Sequence, residues 1–389
     1  MITVAEALAR ARADEFGAIW AVAEERAAAV PSASGPLAGV PFVVKDNFDL
    51  AGLPTTGGLP GPRAPASDDA EAVRRLERAG AVPVAKTALD PLAWTTSGQA
   101  PGFPPCRNPT GAELSPGGSS SGSAVAVAAG IAPLGLGTDT AGSVRIPASY
   151  CGIVGLKLAP DEQLLGGCLP LAPSFDSAGI LGRSVAECRA AYAALTRPSP
   201  ATPSTATPRR VAVISDLFDA AEGEVRDALA PVVARLEGRG IAVERVALDY
   251  WAPGLGLPLA VEFAYAWSAR CEAEPERFPD AIVESIEMAL TVAPERYQAH
   301  LSELREARID VTNRLGGYAA LLSPTVPTVV PTLENERVKT STRFTRIFNA
   351  LGWPAISVPA ATDTAGRPVG LHIANAGDVA ALLDVAGLI

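Results

Sequence analysis

Short apolar runs alternate with helical segments along this chain, and that alternation limits the possible fold more than any other feature. Residues 39–45, GVPFVVK, have the pattern of a buried strand. Ser67 and the acidic residues after it begin a predicted helix that runs to Ala79, with Gly80 at its C-cap. Residues 81–86, AVPVAK, form a second predicted strand. This β–α–β order predicts an α/β sheet with parallel strands.

The same alternation returns in the second half of the chain, where a helix is predicted over residues 222–238. Residues 195–210, rich in Pro, Ser and Thr, predict a surface linker, and residues 251–300 have a mixed, helical pattern. We favour one sheet with a surface linker over two separate domains. Apolar runs predict further strands at residues 133–139, 211–215, 241–248, 319–324, 356–361 and 369–374.

Charge and hydropathy exclude several classes of protein. The 389 residues carry a net charge of −10, which repels phosphate backbones, so nucleic acid is not an expected partner. The least polar stretch, residues 124–137, is shorter than the roughly 20 residues that cross a bilayer. The N-terminus carries Glu6, Asp14 and Glu15 and predicts an amphipathic helix rather than a signal peptide. We expect a cytoplasmic protein with no membrane contact and with five reduced cysteines.

Histidine is too scarce for the common hydrolytic sites. The conventional serine-hydrolase triad needs a histidine base, and the chain has only His300 and His372. His372 lies in the apolar strand pattern VGLHI and His300 on a polar helix, so we favour a structural role for each. Neither belongs to an HExxH motif, and no metal site is expected.

A Ser/Gly run, GGSSSGS at residues 117–123, precedes a predicted helix of small residues at 124–129. A flexible linker and a phosphate-binding nest are alternative interpretations, although the run lacks the GK[ST] ending of a P-loop. The apolar segments around it favour burial. Buried hydroxyl groups need hydrogen-bond partners or a chemical task.

Two further segments carry chemistry. Lys45 ends the apolar run at 39–45, and it either extends to solvent or is buried. Burial would disfavour its charged form and lower its pKa. Lowering the pKa from about 10.4 to about 7.4 corresponds to roughly 4 kcal/mol. A lysine that is neutral near pH 7 can act as a base toward a serine. The turn GTDTAGSVR, residues 137–145, exposes backbone N–H groups around Ser143 that can hold an oxyanion. An ordinary strand-to-loop turn is the alternative for that segment.

Together these segments resemble the amidase signature family. The ordered matches are GVPFVVKDNFDLAGLPTTGG, GGSSSGSAVAVAAG, PLGLGTDTAGSVRIPASYCGIVGLK, LAPSFDSAGILGRSV, LLSPTVPT and FNALGWPAISVPA. They cover most of the chain outside residues 195–300. The resemblance implies an α/β fold with a single large mixed β-sheet covered by helices on both faces. It also implies one domain over residues 1–389, with a variable helical region near 251–300 that shapes the substrate pocket.

The resemblance assigns a Ser–Ser–Lys triad: Lys45 as general base, Ser119 as bridging serine and Ser143 as nucleophile. It implies a cis peptide at Gly118–Ser119. The oxyanion hole would consist of the backbone N–H groups of Thr140, Ala141, Gly142 and Ser143. We propose that Asp139 and Arg145, which flank this turn, fix its shape. Trp94, Thr95 and Thr96 lie in a stretch that faces the acyl pocket in relatives, although core packing explains Trp94 equally well.

The expected function is hydrolysis of a small-molecule carboxamide through an acyl-enzyme on Ser143, without a cofactor. Residues 143–153 look most like indole-3-acetamide amidases, and the first half is similar to allophanate hydrolases. The family's KPTxGR stretch is absent after GLK, where Leu158 and Ala159 follow instead, so the loop at that edge of the pocket differs. Two alternatives remain: the glutaminase subunit of a tRNA-dependent amidotransferase, and an inactive binding module. The oligomeric state stays open, with a homodimer as one alternative.

Overall fold

One sheet contains all of the described strands. The computed structural model describes residues 2–29, 34–196, 210–249, 256–335 and 341–389. Its strands are β1 (Ile19–Val22), β2 (Pro41–Lys45), β3 (Val82–Thr87), β4 (Leu134–Asp139), β5 (Val154–Lys157), β6 (Ser177–Gly182), β7 (Arg210–Ile214), β8 (Ala242–Val246), β9 (Ala320–Pro324), β10 (Ala355–Thr362) and β11 (Pro368–Ala374).

The sheet is mixed in direction. Its strands follow the order β1-β3-β2-β4-β6-β5-β10-β11-β9-β7-β8. β2 runs parallel to β3 and β4, and β7 runs parallel to β8 and β9. The other neighbours are antiparallel, and β10 pairs with β5 to join the late strands to the early ones. The prediction of a single large mixed sheet is confirmed.

Helices connect the strands and cover the sheet. They are α1 (Val4–Arg12), α2 (Glu24–Ala29), α3 (Glu71–Arg78), α4 (Ser121–Ala128), α5 (Arg145–Cys151), α6 (Val185–Leu195), α7 (Ser215–Asp219), α8 (Gly223–Gly238), α9 (Gly256–Ala273), α10 (Asp280–Leu290), α11 (Pro294–Leu315), α12 (Arg346–Ala350) and α13 (Val379–Ala386). Within the described part of the chain, none is long and apolar enough to cross a membrane. Residues 197–209 of the predicted linker and residues 251–255 lie outside the described residues.

The central strands are buried on both faces. Successive side chains of a strand point to opposite faces of the sheet, so each face packs against its own cluster. Val43 on β2 packs in a cluster with the small apolar residues of α4 and α5. Val44 on the same strand, with Ile180 on β6, packs in a second cluster that includes α6 and α8. Of the described strands, only the outermost two, β1 and β8, have no fully buried residue. The middle of the sheet therefore provides a rigid, dry support for side chains at the strand ends.

Two helix starts differ from the sequence predictions. α4 begins at Ser121, three residues before the predicted start at 124, because the Ser/Gly run is already helical. Gly122 allows this close packing, since a Cβ there would lie 2.4 Å from the backbone nitrogen of Ala88. α3 begins at Glu71 rather than beside Ser67, whose hydroxyl instead donates to Asp68.

The buried position of β6 generates a stability prediction. Ile180→Ala should lower the free energy of unfolding by about 2 to 5 kcal/mol, because the truncation removes buried apolar surface and leaves a cavity. Urea denaturation measures this change. Ile19→Ala on the half-buried edge strand β1 is the matched control and should cost clearly less. An equal loss in both variants would contradict the position of β6 at the centre of the sheet.

Candidate active site

Lys45 ends β2 with its side chain fully buried, so the alternative in which it extends to solvent is excluded. Its Nζ lies 2.8 Å from Ser119 Oγ and 2.9 Å from Thr138 Oγ1. Burial lowers the pKa of Lys45 to about 8, because desolvation disfavours the ammonium form. The lysine thus combines an accessible neutral state with a direct contact to a serine hydroxyl.

Thr138 controls the direction of the Lys45 amine. Its Oγ1 accepts from Asn47 Nδ2 at 3.0 Å as well as from Lys45 Nζ. A neutral amine has two protons and one lone pair. When one proton points to Thr138, the lone pair can face the Ser119 hydroxyl. Sequence patterns assigned no role to Thr138 or Asn47, although both lie within the segments that carry the family resemblance.

The Ser/Gly run is buried, which excludes the flexible-linker interpretation. The Gly118–Ser119 peptide bond is cis, as the resemblance implies. The Ser120 hydroxyl donates to the carbonyl of Thr138 at 3.2 Å, and its backbone N–H donates to the carbonyl of Ser143 at 3.1 Å. These bonds hold Ser119 and the residue after it against β4 and the turn that follows.

A second support for the run is Asp90, which the sequence analysis did not single out. Its Oδ1 accepts from the hydroxyls of Thr95 and Ser97 at 2.6 Å each. The backbone N–H of Gly98 also donates to this carboxylate. Gly118 packs directly against it, since a Cβ on Gly118 would lie 2.1 Å from Asp90 Oδ2. Asp90 therefore fixes the loop that borders the cis peptide.

The three residues predicted to line an acyl pocket, Trp94, Thr95 and Thr96, lie beside this loop. Trp94 stacks on Phe263 of α9, with ring centroids 4.2 Å apart. Thr95 is exposed apart from its bond to Asp90. Trp94 thus connects the Asp90 loop to the helical region that the sequence predicted to shape the pocket.

The turn after β4 is organised by Asp139. Its carboxylate accepts from the N–H groups of Gly142 at 2.8 Å and Val144 at 3.1 Å. Arg145 forms a buried ion pair with it at 2.7 Å, and Asn349 Nδ2 donates to it at 3.0 Å. Burial alone would raise the pKa of Asp139, but the Arg145 charge and these bonds hold it well below its usual range.

Two more side chains anchor the turn from outside. The Thr140 hydroxyl donates to Asp176 at 2.5 Å, and the Thr345 hydroxyl donates to the carbonyl of Ala141 at 2.6 Å. Gly142 has φ +137°, and a Cβ there would lie 2.3 Å from Thr345 Oγ1, so only glycine fits. Thr345 comes from a segment about 200 residues away, which local sequence patterns do not connect with the turn.

One of the four predicted oxyanion donors is already engaged. The N–H of Gly142 donates to Asp139, so it is not free to hold an oxyanion, and that part of the prediction is corrected. Across the described residues, the N–H groups of Thr140, Ala141 and Ser143 have no acceptor. The Ser143 hydroxyl likewise has no partner within the described structure, and the residue is 5% exposed.

His372 is a structural residue. Its Nε2 lies 3.0 Å from Arg145 Nη1, and arginine can only donate, so Nε2 must accept. Burial and then the Arg145 charge hold the pKa of His372 well below its usual range. The ring is neutral, with its proton on Nδ1 facing Ser323, and has no free lone pair for catalysis. His300 lies on α11 beside Glu303, far along the chain from these groups.

A cavity of about 200 Å³ adjoins the Lys45 end of this site. Thr138, which accepts from the Lys45 amine, and Asn47, which donates to Thr138, both line it, whereas neither Ser119 nor Ser143 does. The remaining wall is a mostly apolar loop: Glu162, Leu165, Cys168, Leu169, Pro170, Leu171, Pro173 and Asp176. No group of His, Cys, Asp and Glu in the described ranges could hold a metal ion.

The mixed sheet and the buried lysine–serine pair define an α/β protein with a serine hydroxyl beside a buried amine. The similarity to known proteins makes it an enzyme that acts on carbon–nitrogen bonds. The chain belongs to the amidase family, since the family model described as Amidase matches residues 4–382.

Known proteins agree with this assignment. The 2-amino-5-chloromuconic acid deaminase of Comamonas testosteroni is 33% identical, covering 87% of this chain and 78% of that protein. A glutamyl-tRNA(Gln) amidotransferase subunit of Halothermothrix orenii is 30% identical over 87% of this chain and 81% of its own length. A crystal structure of an amidase superposes with a TM-score of 0.90 at 32% identity, covering 99% of this chain and 94% of that one.

Gly118→Ala should impair this site through steric overlap with Asp90. The added Cβ must displace either the Asp90 loop or Ser119, and a shift of about 1 Å can reduce kcat/KM by about 100-fold. The measurement is amide turnover together with a circular dichroism spectrum. Gly317→Ala is the matched control, because no atom lies within 4 Å of its added Cβ. Unchanged kcat/KM in Gly118→Ala would show that Asp90 does not position Ser119.

Proposed function

We propose that this enzyme hydrolyses the carboxamide of a small molecule to an acid and ammonia or an amine. Ser143 is the nucleophile, Ser119 relays protons and Lys45 is the base. One observation carries the proposal: the Nζ of a fully buried lysine lies 2.8 Å from a serine hydroxyl. Such a lysine is neutral in a larger fraction of molecules than an exposed one, and it can accept a proton.

The reaction starts with proton transfer from Ser119 to neutral Lys45 and from Ser143 to Ser119. Ser143 Oγ attacks the amide carbon, and the carbonyl oxygen gains the negative charge. The unengaged N–H groups of Thr140, Ala141 and Ser143 stabilise this oxyanion. The proton returns through Ser119 to the leaving nitrogen as the C–N bond breaks. Water then attacks the acyl-enzyme by the same relay, and the acid leaves.

The cavity beside Lys45 favours a small substrate group. The adjoining cavity of about 200 Å³ is below the volume typical of pockets for drug-sized ligands, about 300 to 1,000 Å³. Its wall is mostly apolar. Trp94, stacked on Phe263, is kept as a proposed wall of the acyl pocket, with Thr95 and Thr96 beside it.

A glutaminase subunit of an amidotransferase is the second candidate, favoured by the amidotransferase relative with 30% identity. In that role the chain would need partner chains. Ammonia release from a panel of primary amides, ureido acids and glutamine, with arylamine release from anilides, distinguishes the two. Turnover of simple amides by the isolated chain, without preference for glutamine, supports the amidase. Activity with glutamine alone supports the second candidate.

An inactive binding module is a less favoured interpretation, because Lys45, Ser119 and Ser143 are all present and the first two are in contact. A fluorophosphonate probe forms a covalent bond only with an activated serine. An adduct on Ser143, located by mass spectrometry, excludes the inactive module.

Substitutions of the triad should separate its three roles. Ser143→Ala should abolish turnover and labelling while the protein stays folded, since the hydroxyl makes no structural hydrogen bond among the described residues. Lys45→Ala and Ser119→Ala should slow acylation by about 100- to 10,000-fold, because the proton relay is cut. Single-turnover kinetics measure the acylation step. A wild-type rate in Lys45→Ala would refute the assignment of the base.

The pH dependence of labelling should follow Lys45. Burial lowers its pKa to about 8, an effect that the carboxylates of Asp90, Asp139 and Asp176 partly oppose. The neutral fraction increases with pH, so the labelling rate should rise about tenfold per pH unit below about pH 8 and level off above it. Lys45→Ala should lack this inflection. A rate that falls with rising pH over this range would contradict a neutral lysine base.

A further inference from the structure

A second cavity, of about 340 Å³, lies beside the first, and Leu169 lines both. It differs in character, because three arginines line it: Arg63, Arg270 and Arg277. In a chain with a net charge of −10, such a group of cations in one cavity calls for a physical explanation.

Arg63 is the most informative of the three. It is half-buried, and its Nε and Nη2 are both shielded from solvent without an acceptor. No ion pair or hydrogen bond joins it to any other described residue. A guanidinium group that has lost water and gained no partner costs free energy, and a bound anion would offset that cost.

The other two arginines share a single acid. Arg277 donates to Glu274 at 3.0 Å and to the carbonyl of Pro60 at 2.9 Å, while its Nη2 is buried without an acceptor. Arg270 reaches the same Glu274 carboxylate at 3.6 Å. One carboxylate therefore serves two guanidinium groups, and part of the positive charge at this wall remains uncompensated.

The charge balance specifies the ligand. Three arginines against Glu274 and Asp49, the two acids that line the cavity, leave one net positive charge. The neighbouring cation Lys86 is already paired with Asp46 at 2.8 Å. A monovalent anion completes this balance, whereas a phosphate dianion exceeds it. The planar fork of a guanidinium matches a carboxylate in a bidentate manner.

We propose that this cavity is a binding site for a carboxylate, with Arg63 as the principal anchor. The carboxylate has two sources: the distal end of an amide substrate, which would pass Leu169, or a separate small acid. The first source rests on the proposed function, and the second does not. Nothing in the triad is required for binding, so the site can be tested without turnover.

The test compares two ligands of the same shape, butyrate and butyramide, by thermal shift and calorimetry. The Ser143→Ala protein is used so that the amide is not consumed. Butyrate should bind and raise Tm through Arg63, because a ligand of the native state stabilises it. Butyramide is a candidate substrate of the Ser143 site, so any rise in Tm that it causes should not depend on Arg63. Arg63→Gln in this background should weaken butyrate binding at least about tenfold. Asp49→Asn should strengthen it, because the substitution removes a repulsive charge.

Controls address folding and nonspecific charge effects. Arg245 lies on the edge strand β8, and 61% of its side chain is exposed. Arg245→Gln therefore removes an arginine outside the cavity and should leave butyrate binding unchanged. Arg63→Lys keeps the charge but loses the fork, so intermediate affinity is expected. The proposal is overturned by equal butyrate binding in Arg63→Gln, by butyramide binding that weakens as strongly as butyrate binding in Arg63→Gln, or by tighter binding of inorganic phosphate.

Inhibition of the unmodified enzyme identifies the source of the carboxylate. If butyrate competes with a neutral amide substrate, the carboxylate site belongs to the substrate pocket. If butyrate activates the enzyme, or leaves the KM of the amide unchanged, the site binds a separate acid. Both results presuppose the Arg63-dependent binding. If no amide is hydrolysed at all, the proposed function fails, while the binding comparison still decides whether the carboxylate site exists.

Discussion

The buried ion pair between Asp139 and Arg145 is the interaction on which the geometry of the site depends. Removing both charges from water costs several kcal/mol per ion unless hydrogen bonds replace the lost solvent. Five hydrogen bonds converge on the Asp139 carboxylate, and Arg145 also donates to the carbonyl of Thr345 and to Asn349. These partners come from β4, α5 and α12, so the turn around Ser143 takes its shape only when distant parts of the fold have assembled.

The three buried lysines of the described residues show why Lys45 is the one among them that suits the proposed proton relay. Lys86 pairs with Asp46 at 2.8 Å, which offsets its charge. Burial lowers the pKa of Lys157 to about 7, but its Nζ contacts the carbonyls of Leu158 and Trp353, which have no proton to exchange. Lys45 contacts two hydroxyls instead. Burial alone therefore does not make a catalytic base, and the chemical nature of the partners decides the role.

Sequence patterns predicted the parts of the site that lie within one continuous segment of the chain. The strand that ends at Lys45 and the Gly-rich turn before Ser143 are continuous segments, so periodicity and motif identify them. Thr345 and Asn349 escaped notice because they reach the turn across about 200 residues, through packing that no local pattern encodes. Arg63 was missed for the same reason, since its cavity forms only where α9 meets the segment after β2. The occupied N–H of Gly142 likewise depends on which way the Asp139 side chain points.

The contacts of α9 link the helical region to the cavity loop and, through that loop, to the turn at Ser143. Trp267 donates to the carbonyl of Pro170, and Glu262 accepts from the N–H of Ser174, so α9 supports the cavity loop from outside. From inside, Asp176 accepts from that loop and from the Thr140 hydroxyl. No hydrogen bond joins α9 directly to the Lys45 amine in the described structure, so substitutions on α9 should act first on the cavity wall. Asp176 is the one described side chain that bonds both wall and turn, so a shift of the loop should reach the proposed oxyanion donors through it.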